Sequence, residues 1–299
     1  MFKFAAEQKI YDIGGMKIGG QPGQFPTVLM GSIFYKGDRL VLDDEKGEFD
    51  REGAFQCISQ AEKICKSTNI PLVVDIVGST QISMNNYVKF VGENTELPFL
   101  IDGTTEGVRL AGAKKAAELG LQDRAIFNCI GPETKQGEMD VLKSLELKNT
   151  MVMLVNTKKP TAKGRVDIAE GLIEKAYDAG FEQLLLDTAV LDIVEPGPAG
   201  KAIWMLKEKY GYPCGCSPTH NVRDRWKRAS DYSIMGQAAA KTSLATSLQL
   251  MGADFMMYAI KQTEIIPAIG MVDAIVAYTA AQHGIRPQGK KHPLYTIFG

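Results

Sequence analysis

The sequence predicts a (β/α)8 TIM barrel, on three observations. Eight short apolar runs are bounded by turn residues, an amphipathic stretch follows each one, and polar residues stand at the C-terminal ends of the runs. The chain has 299 residues, 45% of them hydrophobic, and one such barrel commonly takes about 250. Residues 1–299 are therefore expected to form a single domain.

The expected strands, in order, are 27–35 (TVLMGSIFY), 71–77 (PLVVDIV), 98–102 (PFLID), 124–128 (RAIFN), 151–155 (MVMLV), 182–187 (EQLLLD), 212–216 (YPCGC) and 253–258 (ADFMMY). A doubly wound open sheet has the same local signature, and the count of eight favours closure. Helices are expected over 50–68 and near 81–94, 105–119, 133–147, 163–179, 197–210, 233–251 and 265–284. In the first of these, Phe55, Ile58, Ala61, Ile64 and Cys65 are spaced for one buried face. Ahead of the first strand, KIYDIGGMKIGGQPGQ reads as a hairpin about a Gly-Gly pair, placed to plug the bottom of a barrel. Residues 36–48 (KGDRLVLDDEKGE) are too polar for core and read as a long loop on the C-terminal rim.

Composition narrows the function. With 34 basic and 35 acidic residues, concentrated in neither half, the chain offers no electrostatic case for nucleic acid or an anionic membrane. The N-terminus MFKFAAEQKIYD lacks a signal-peptide core, and no run of roughly 18 uncharged apolar residues occurs, so a cytoplasmic protein without membrane insertion is expected. Five cysteines without a disulfide-framework spacing suit a reducing compartment. No phosphate-binding GxxxxGK[ST] loop is present.

The strand ends present Asp75, Asp102, Asn128, Asn156, Asp187 and the pair Ser217 and Asn221. In barrels this rim carries the active site. Each such residue taken alone serves equally well as the N-cap of the next helix, and Asp75 equally as a loop-ordering acceptor. As a set, alternating carboxylates and carboxamides facing one cavity match the N–H, amino and oxo edges of a heterocycle such as a pterin. Cys214 and Cys216 alternate along one strand with His220 four residues on, which is the outline of a thiolate zinc site. No fourth ligand is evident, and two small cysteines packing the barrel interior is the commoner arrangement, so no metal is expected. His283 and His292, near the C-terminus, are expected at the surface. The basic stretch 227–230 (KRAS) reads as a solvated face, and on the rim it would attract an anionic tail or an acidic partner.

Several of these segments resemble one family. KIYDIGGMKIGGQPGQFPTVLMGSIFY, PLVVDIVGSTQ, PFLIDGTT, GLQDRAIFNCI and GCSPTHNVRDRW are similar, over nearly the whole chain, to the MtrH family of tetrahydromethanopterin S-methyltransferase components. Within it they most resemble stand-alone bacterial members that serve corrinoid-dependent demethylation, glycine betaine metabolism included. More distantly the chain resembles the pterin-binding barrels of corrinoid protein methyltransferases, methionine synthase and dihydropteroate synthase. The resemblance implies a methyltransferase that moves a methyl group from a methyl-Co(III) corrinoid carried by a partner protein to N5 of tetrahydrofolate. The alternatives are a tetrahydromethanopterin-binding component of a larger complex and, more remotely, a zinc-thiolate alkyl transferase. By the same resemblance Asp102, Asn128, Asp187, Gly215 and Ser217 hold the pterin and the assembly is a homodimer; for catalysis, Asn221 is the candidate amide at N5 and Asp75 the candidate proton acceptor. The strand-seven motif departs from the superfamily's Gly-x-Ser-Asn by inserting Pro218, Thr219 and His220 between Ser217 and Asn221.

Overall fold

The structure is a computed structural model that describes residues 2–192, 194–219 and 226–297. Eight parallel strands close into a barrel in chain order: β3 (Val28–Ile33), β6 (Leu72–Gly78), β7 (Phe99–Gly103), β8 (Ala125–Ile130), β9 (Asn149–Met153), β10 (Gln183–Asp187), β11 (Cys214–Cys216) and β12 (Phe255–Ala259), with β12 pairing back onto β3. All eight expected strands are present, and closure rather than an open sheet is the outcome. The helices are α1 (Arg51–Thr68), α2 (Gln81–Asn94), α3 (Glu106–Glu118), α4 (Gln136–Ser144), α5 (Ala162–Asp167), α6 (Ala169–Asp178), α7 (Pro196–Tyr210), α8 (Ile234–Leu250), α9 (Ile265–Ala280) and the short α10 (Pro293–Ile297).

Two apolar layers follow from the period of two along each strand. Val28, Met30, Val73, Leu100, Ile126, Met151, Leu185, Phe255 and Met257 fill the barrel interior, while Leu29, Val74, Ile101, Phe127, Val152, Leu186 and Met256 pack outward under the helices. The hairpin β1 (Ile10–Ile13) and β2 (Met16–Gly19) turns at Gly14 and Gly15, both at positive φ, and its Ile13 and Ile18 are fully buried in the interior layer. It stoppers the N-terminal end of the barrel. Asp50 caps α1 by accepting from the Gly53 N–H at 2.9 Å. The buried stripe of α1 is Ala54, Ile58, Ala61 and Cys65, whereas Phe55, expected inside, is 48% exposed. An i, i+4, i+7, i+11 spacing starting at 54 selects a face about 100° away from Phe55.

The polar stretch after β3 is not an open loop. It contains a second hairpin, β4 (Val41–Asp43) with β5 (Glu48–Phe49), anchored by Leu40 and Phe49 in the core beside Phe34, Tyr87 and Phe90. Asp38 is buried beneath it, accepting from the N–H groups of Phe34 and Leu40 and from Lys261 Nζ at 2.5 Å. Residues 265–283 form a helical stretch of mean hydropathy 1.5, long and apolar enough to cross a membrane by length and composition, with half of its most apolar portion buried inside the fold. Within it Asp273 is buried, accepting from the Thr27 N–H and hydroxyl at 2.9 and 2.8 Å and from Gln249 at 2.6 Å. That network ties α9 to the base of β3, so the stretch is a core helix of the barrel.

Candidate functional site

On four strands the inward position two residues beyond the interior apolar side chain changes character. Val73 is followed by Asp75, Leu100 by Asp102, Ile126 by Asn128 and Leu185 by Asp187, all on the face that the apolar layer has already shown to be the inside. β3 contributes Ser32, in register with Asp75, and β9 contributes Met153, in register with Asp187. The C-terminal end of the barrel is therefore a polar cup on an apolar floor. Asp75, Asn128 and Asp187 are 1%, 6% and 4% exposed, and Asp102 is half-buried. Register aligns Asp102 with Asn128 across β7 and β8, and Asp187 with Gly215 across β10 and β11. Gly215 is required by space: a Cβ there would lie 2.1 Å from the Phe255 carbonyl oxygen. Ser217 follows at the rim, half-buried. Asn221 and His220 lie outside the described residues.

The hydrogen bonding of this cup is incomplete. The Ser32 hydroxyl donates to Asp75 Oδ2 at 2.5 Å, and the Ala189 N–H donates to Asp187 Oδ1 at 2.8 Å. Asp75 Oδ1 and Asn128 Oδ1 are buried and have no partner among the described residues. Each such atom costs about 1–3 kcal/mol, and two on one inner layer mark a surface shaped for a ligand that supplies the missing bonds.

Burial also sets the charge. It pushes the Asp75 carboxyl well above the ordinary carboxylate range, with repulsion from Asp102 adding to the rise and the Ser32 bond opposing it. Asp102 is raised by burial to about 6, with Arg109 pulling the other way. Asp187 is raised by burial to about 7, against its Ala189 bond, with Asp102 raising it further and Arg165 lowering it. Cys129, next to Asn128, is pushed up first by burial and then by Asp102 and Asp187, so its thiol stays protonated. Arg109 bonds Glu138 at 2.9 Å behind the cup.

Two residues that sequence reasoning passed over support these groups. Ser32 holds Asp75, and its signal was present as the inward position after Met30. Arg165 on α5 is 3% exposed and reaches Thr188 O at 2.6 Å, Ala189 O at 3.2 Å and Glu195 at 3.4 Å. No strand periodicity flags an arginine on a helix. Asn156 is not in the cup, because β9 ends at Met153. Its side chain donates to Gly164 O at 2.8 Å and accepts from the Lys159 N–H at 3.0 Å, which orders the loop.

Two further expectations are corrected. Cys214 and Cys216 do not face the interior: they pack outward under the helices, since on β11 the inward position is Gly215. His292 is fully buried, its Nδ1 accepting from the Leu294 N–H at 3.1 Å, and burial lowers its pKa to about 4. The basic stretch after β11 is a solvated face, as expected: Lys227 and Arg228 are exposed, and Arg228 pairs with Asp231 at the surface at 2.7 Å.

Residues 6–288 match the family model described as Tetrahydromethanopterin S-methyltransferase MtrH subunit. The chain is 35% identical to the corresponding tetrahydromethanopterin S-methyltransferase component of Methanothermobacter thermautotrophicus over 99% of this chain and 100% of that one. It is 34% identical to the Methanosarcina mazei counterpart over 95% and 96%. In fold it is similar to Yersinia pestis dihydropteroate synthase, with a TM-score of 0.63 at 13% identity, covering 90% of this chain and 98% of that one. The chain belongs to the MtrH family of tetrahydromethanopterin S-methyltransferase components, a methyltransferase family, and its fold is a TIM barrel.

Proposed function

We propose that this MtrH family member binds a tetrahydropterin in its polar cup and passes a methyl group between N5 of that pterin and a corrinoid carried by a partner protein. The observation that carries the reading is the inner layer of Asp75, Asp102, Asn128 and Asp187 with two orphaned buried oxygens. A pterin presents amino and N–H donors and an oxo acceptor along one edge, the complement of carboxylates and a carboxamide in alternation. In this reading Asp102, Asn128 and Asp187 hold the ring, Gly215 admits it against β11, and Ser217 bonds its rim.

In the forward direction the N5 lone pair forms the bond to the methyl carbon, the carbon–cobalt pair stays on cobalt as Co(III) becomes Co(I), and N5 loses its proton. The chain's own part is orientation and charge. Fixing N5 on the transfer axis removes several kcal/mol from a bimolecular barrier. Asn221, by its place after the strand-seven motif, is the amide assigned to N5, where a hydrogen bond that strengthens with developing charge accelerates the step. Asp75 is the assigned proton group. To accept a proton it must be ionised, whereas burial favours its protonated form, so the role requires a bound ligand whose N–H donors stabilise the carboxylate.

Two versions of this function differ in acceptor and setting. The relatives are named as parts of tetrahydromethanopterin S-methyltransferase, which favours a component that works with tetrahydromethanopterin in a larger assembly. The stand-alone version, acting on tetrahydrofolate in the cytoplasm as a homodimer, rests on the resemblance of the motifs to the bacterial members. One experiment separates them. Purified chain is mixed with a methylated corrinoid protein and either pterin, and Co(I) is followed by its absorbance. Turnover with tetrahydrofolate alone establishes the stand-alone enzyme, turnover only with tetrahydromethanopterin or added subunits establishes the other, and no pterin binding at all removes both.

A further inference from the structure

The loop between β9 and α5 is built to present two lysines. Asn156 brackets it from one side, donating to Gly164 O and accepting from the Lys159 N–H. Thr161 closes the other side, its N–H donating to Lys159 O at 2.8 Å and its hydroxyl accepting from the Gly164 N–H at 3.0 Å. A Cβ on Gly164 would lie 2.0 Å from Lys159 O, so only glycine allows the two limbs to approach this closely. At the crown, Lys158, Lys159 and Pro160 are exposed. Lys163 is bonded to Asp167 at 2.6 Å and Arg165 is buried beneath the loop. Lys158 and Lys159 form no ion pair among the described residues.

Position and charge give this crown a purpose. β9 stands between β8 and β10, the strands of Asn128 and Asp187, so the loop rises from the C-terminal rim between those two cup residues. A ligand seated there must pass any tail over the rim. The rim stretch 36–48 carries three basic and five acidic residues, and the stretch 188–195 carries Asp192 and Glu195 with no base. Negative charge is repelled at those two crossings and attracted at Lys158 and Lys159.

We propose that Lys158 and Lys159 receive the anionic tail of the pterin, so that the preferred substrate is a polyanionic form carrying several carboxylates or a phosphate beyond the ring. This rests on the pterin reading above. The side chains meet the tail as solvent-exposed ion pairs. They therefore add affinity without touching the ring, and salt weakens them.

Calorimetric titrations with tetrahydrofolate bearing one or five glutamates, and with tetrahydromethanopterin, at low and high salt, test this on the wild-type chain and on the Lys158→Ala, Lys159→Ala double variant. The wild type should bind the pentaglutamate about tenfold more tightly than the monoglutamate, a gain consistent with two exposed ion pairs, and high salt should shrink the advantage. The double variant should lose the advantage and keep the monoglutamate affinity, and arginine at both positions should restore it. If only tetrahydromethanopterin affinity falls in the double variant, the tail recognised is the methanopterin one. Equal wild-type affinities for every tail, an advantage that the double variant retains, or a defect confined to turnover with the corrinoid partner overturns the inference. Failure of every pterin to bind overturns the pterin reading and the inference with it.

Discussion

Arg165 and Asp187 are joined through a single turn of backbone. The guanidinium donates to the carbonyls of Thr188 and Ala189, while the Ala189 N–H donates to Asp187 Oδ1. Ala189 is held at φ 50°, a left-handed conformation that is costly for a residue with a Cβ, and Arg165 is the clamp that keeps it there.

Arg165→Met should therefore loosen the turn and remove a nearby positive charge. Breaking a buried pair with Glu195 costs about 3 kcal/mol or more, read as a lowered denaturant midpoint. In the folded variant the Asp187 carboxyl should titrate above its present value of about 7, as followed by the carboxyl carbon resonance, and ligand affinity at neutral pH should fall. An unchanged Asp187 titration would leave Arg165 a purely structural residue.

The raised carboxyls make both binding and stability pH-dependent. Asp187 and Asp102, at about 7 and about 6 in the folded chain, bind N–H donors in their ionised forms, so pterin binding should release protons below about pH 7 and weaken as pH falls through 7 and then 6. Calorimetry in buffers of different ionisation enthalpy counts those protons. For stability the sign is reversed. A folded pKa above the unfolded value means that the native state holds more protons, so the contribution is complete below the unfolded carboxylate pKa and is lost as pH rises through the folded one. Asp187→Asn should thus stabilise the ligand-free chain at pH 8, by roughly 1–4 kcal/mol, while weakening pterin binding. A variant that melts lower and binds normally contradicts both halves.

Ile13→Ala tests the stopper. The side chain is fully buried among interior residues, and truncation should cost about 2–5 kcal/mol through transfer and cavity terms. Pterin affinity of the folded fraction should be unchanged, because the apolar floor lies between Ile13 and the cup. A shifted affinity would show that the floor transmits strain.

Asn221→Ala separates catalysis from capping. If its amide meets N5, the single-turnover methyl-transfer rate should fall by up to about 3 kcal/mol of barrier, with a smaller loss of pterin affinity. As a helix cap alone, it should lower the stability by about 1 kcal/mol and leave the rate per folded molecule intact.

What the sequence disclosed and what it hid have one physical source. The cup was legible because a strand's side chains alternate, so Asp75, Asp102, Asn128 and Asp187 could be read as strand-end residues without knowing the neighbours. The same rule misplaced Cys214 and Cys216, because CGC has no bulky residue to reveal which parity is inward, and only the register of Gly215 with Asp187 and Phe255 shows that the glycine faces in. Phe55 misled because it is the largest apolar residue in the first turns of α1, whereas the buried line runs through the smaller Ala54. The hairpin after β3 was hidden because Leu40 and Phe49 anchor it with only a few apolar residues, and Asp38 owes its burial to Lys261, distant in sequence. Arg165 was invisible for the same reason: its partners belong to a loop that lies beside it only after closure.

The stoppered lower end turns the barrel into a vessel with one doorway. Whatever enters the cup from the C-terminal side must leave by the same side, since Ile13 and Ile18 fill the other. Two reactants that meet there in line cannot exchange independently: the one seated deeper enters first and departs last. For a small heterocycle beneath a macromolecular partner this imposes a queue, with the partner as gatekeeper. Steady-state kinetics should then be ordered, the pterin leading and its methylated form trailing, and an excess of partner bound to the empty cup should inhibit by shutting the door.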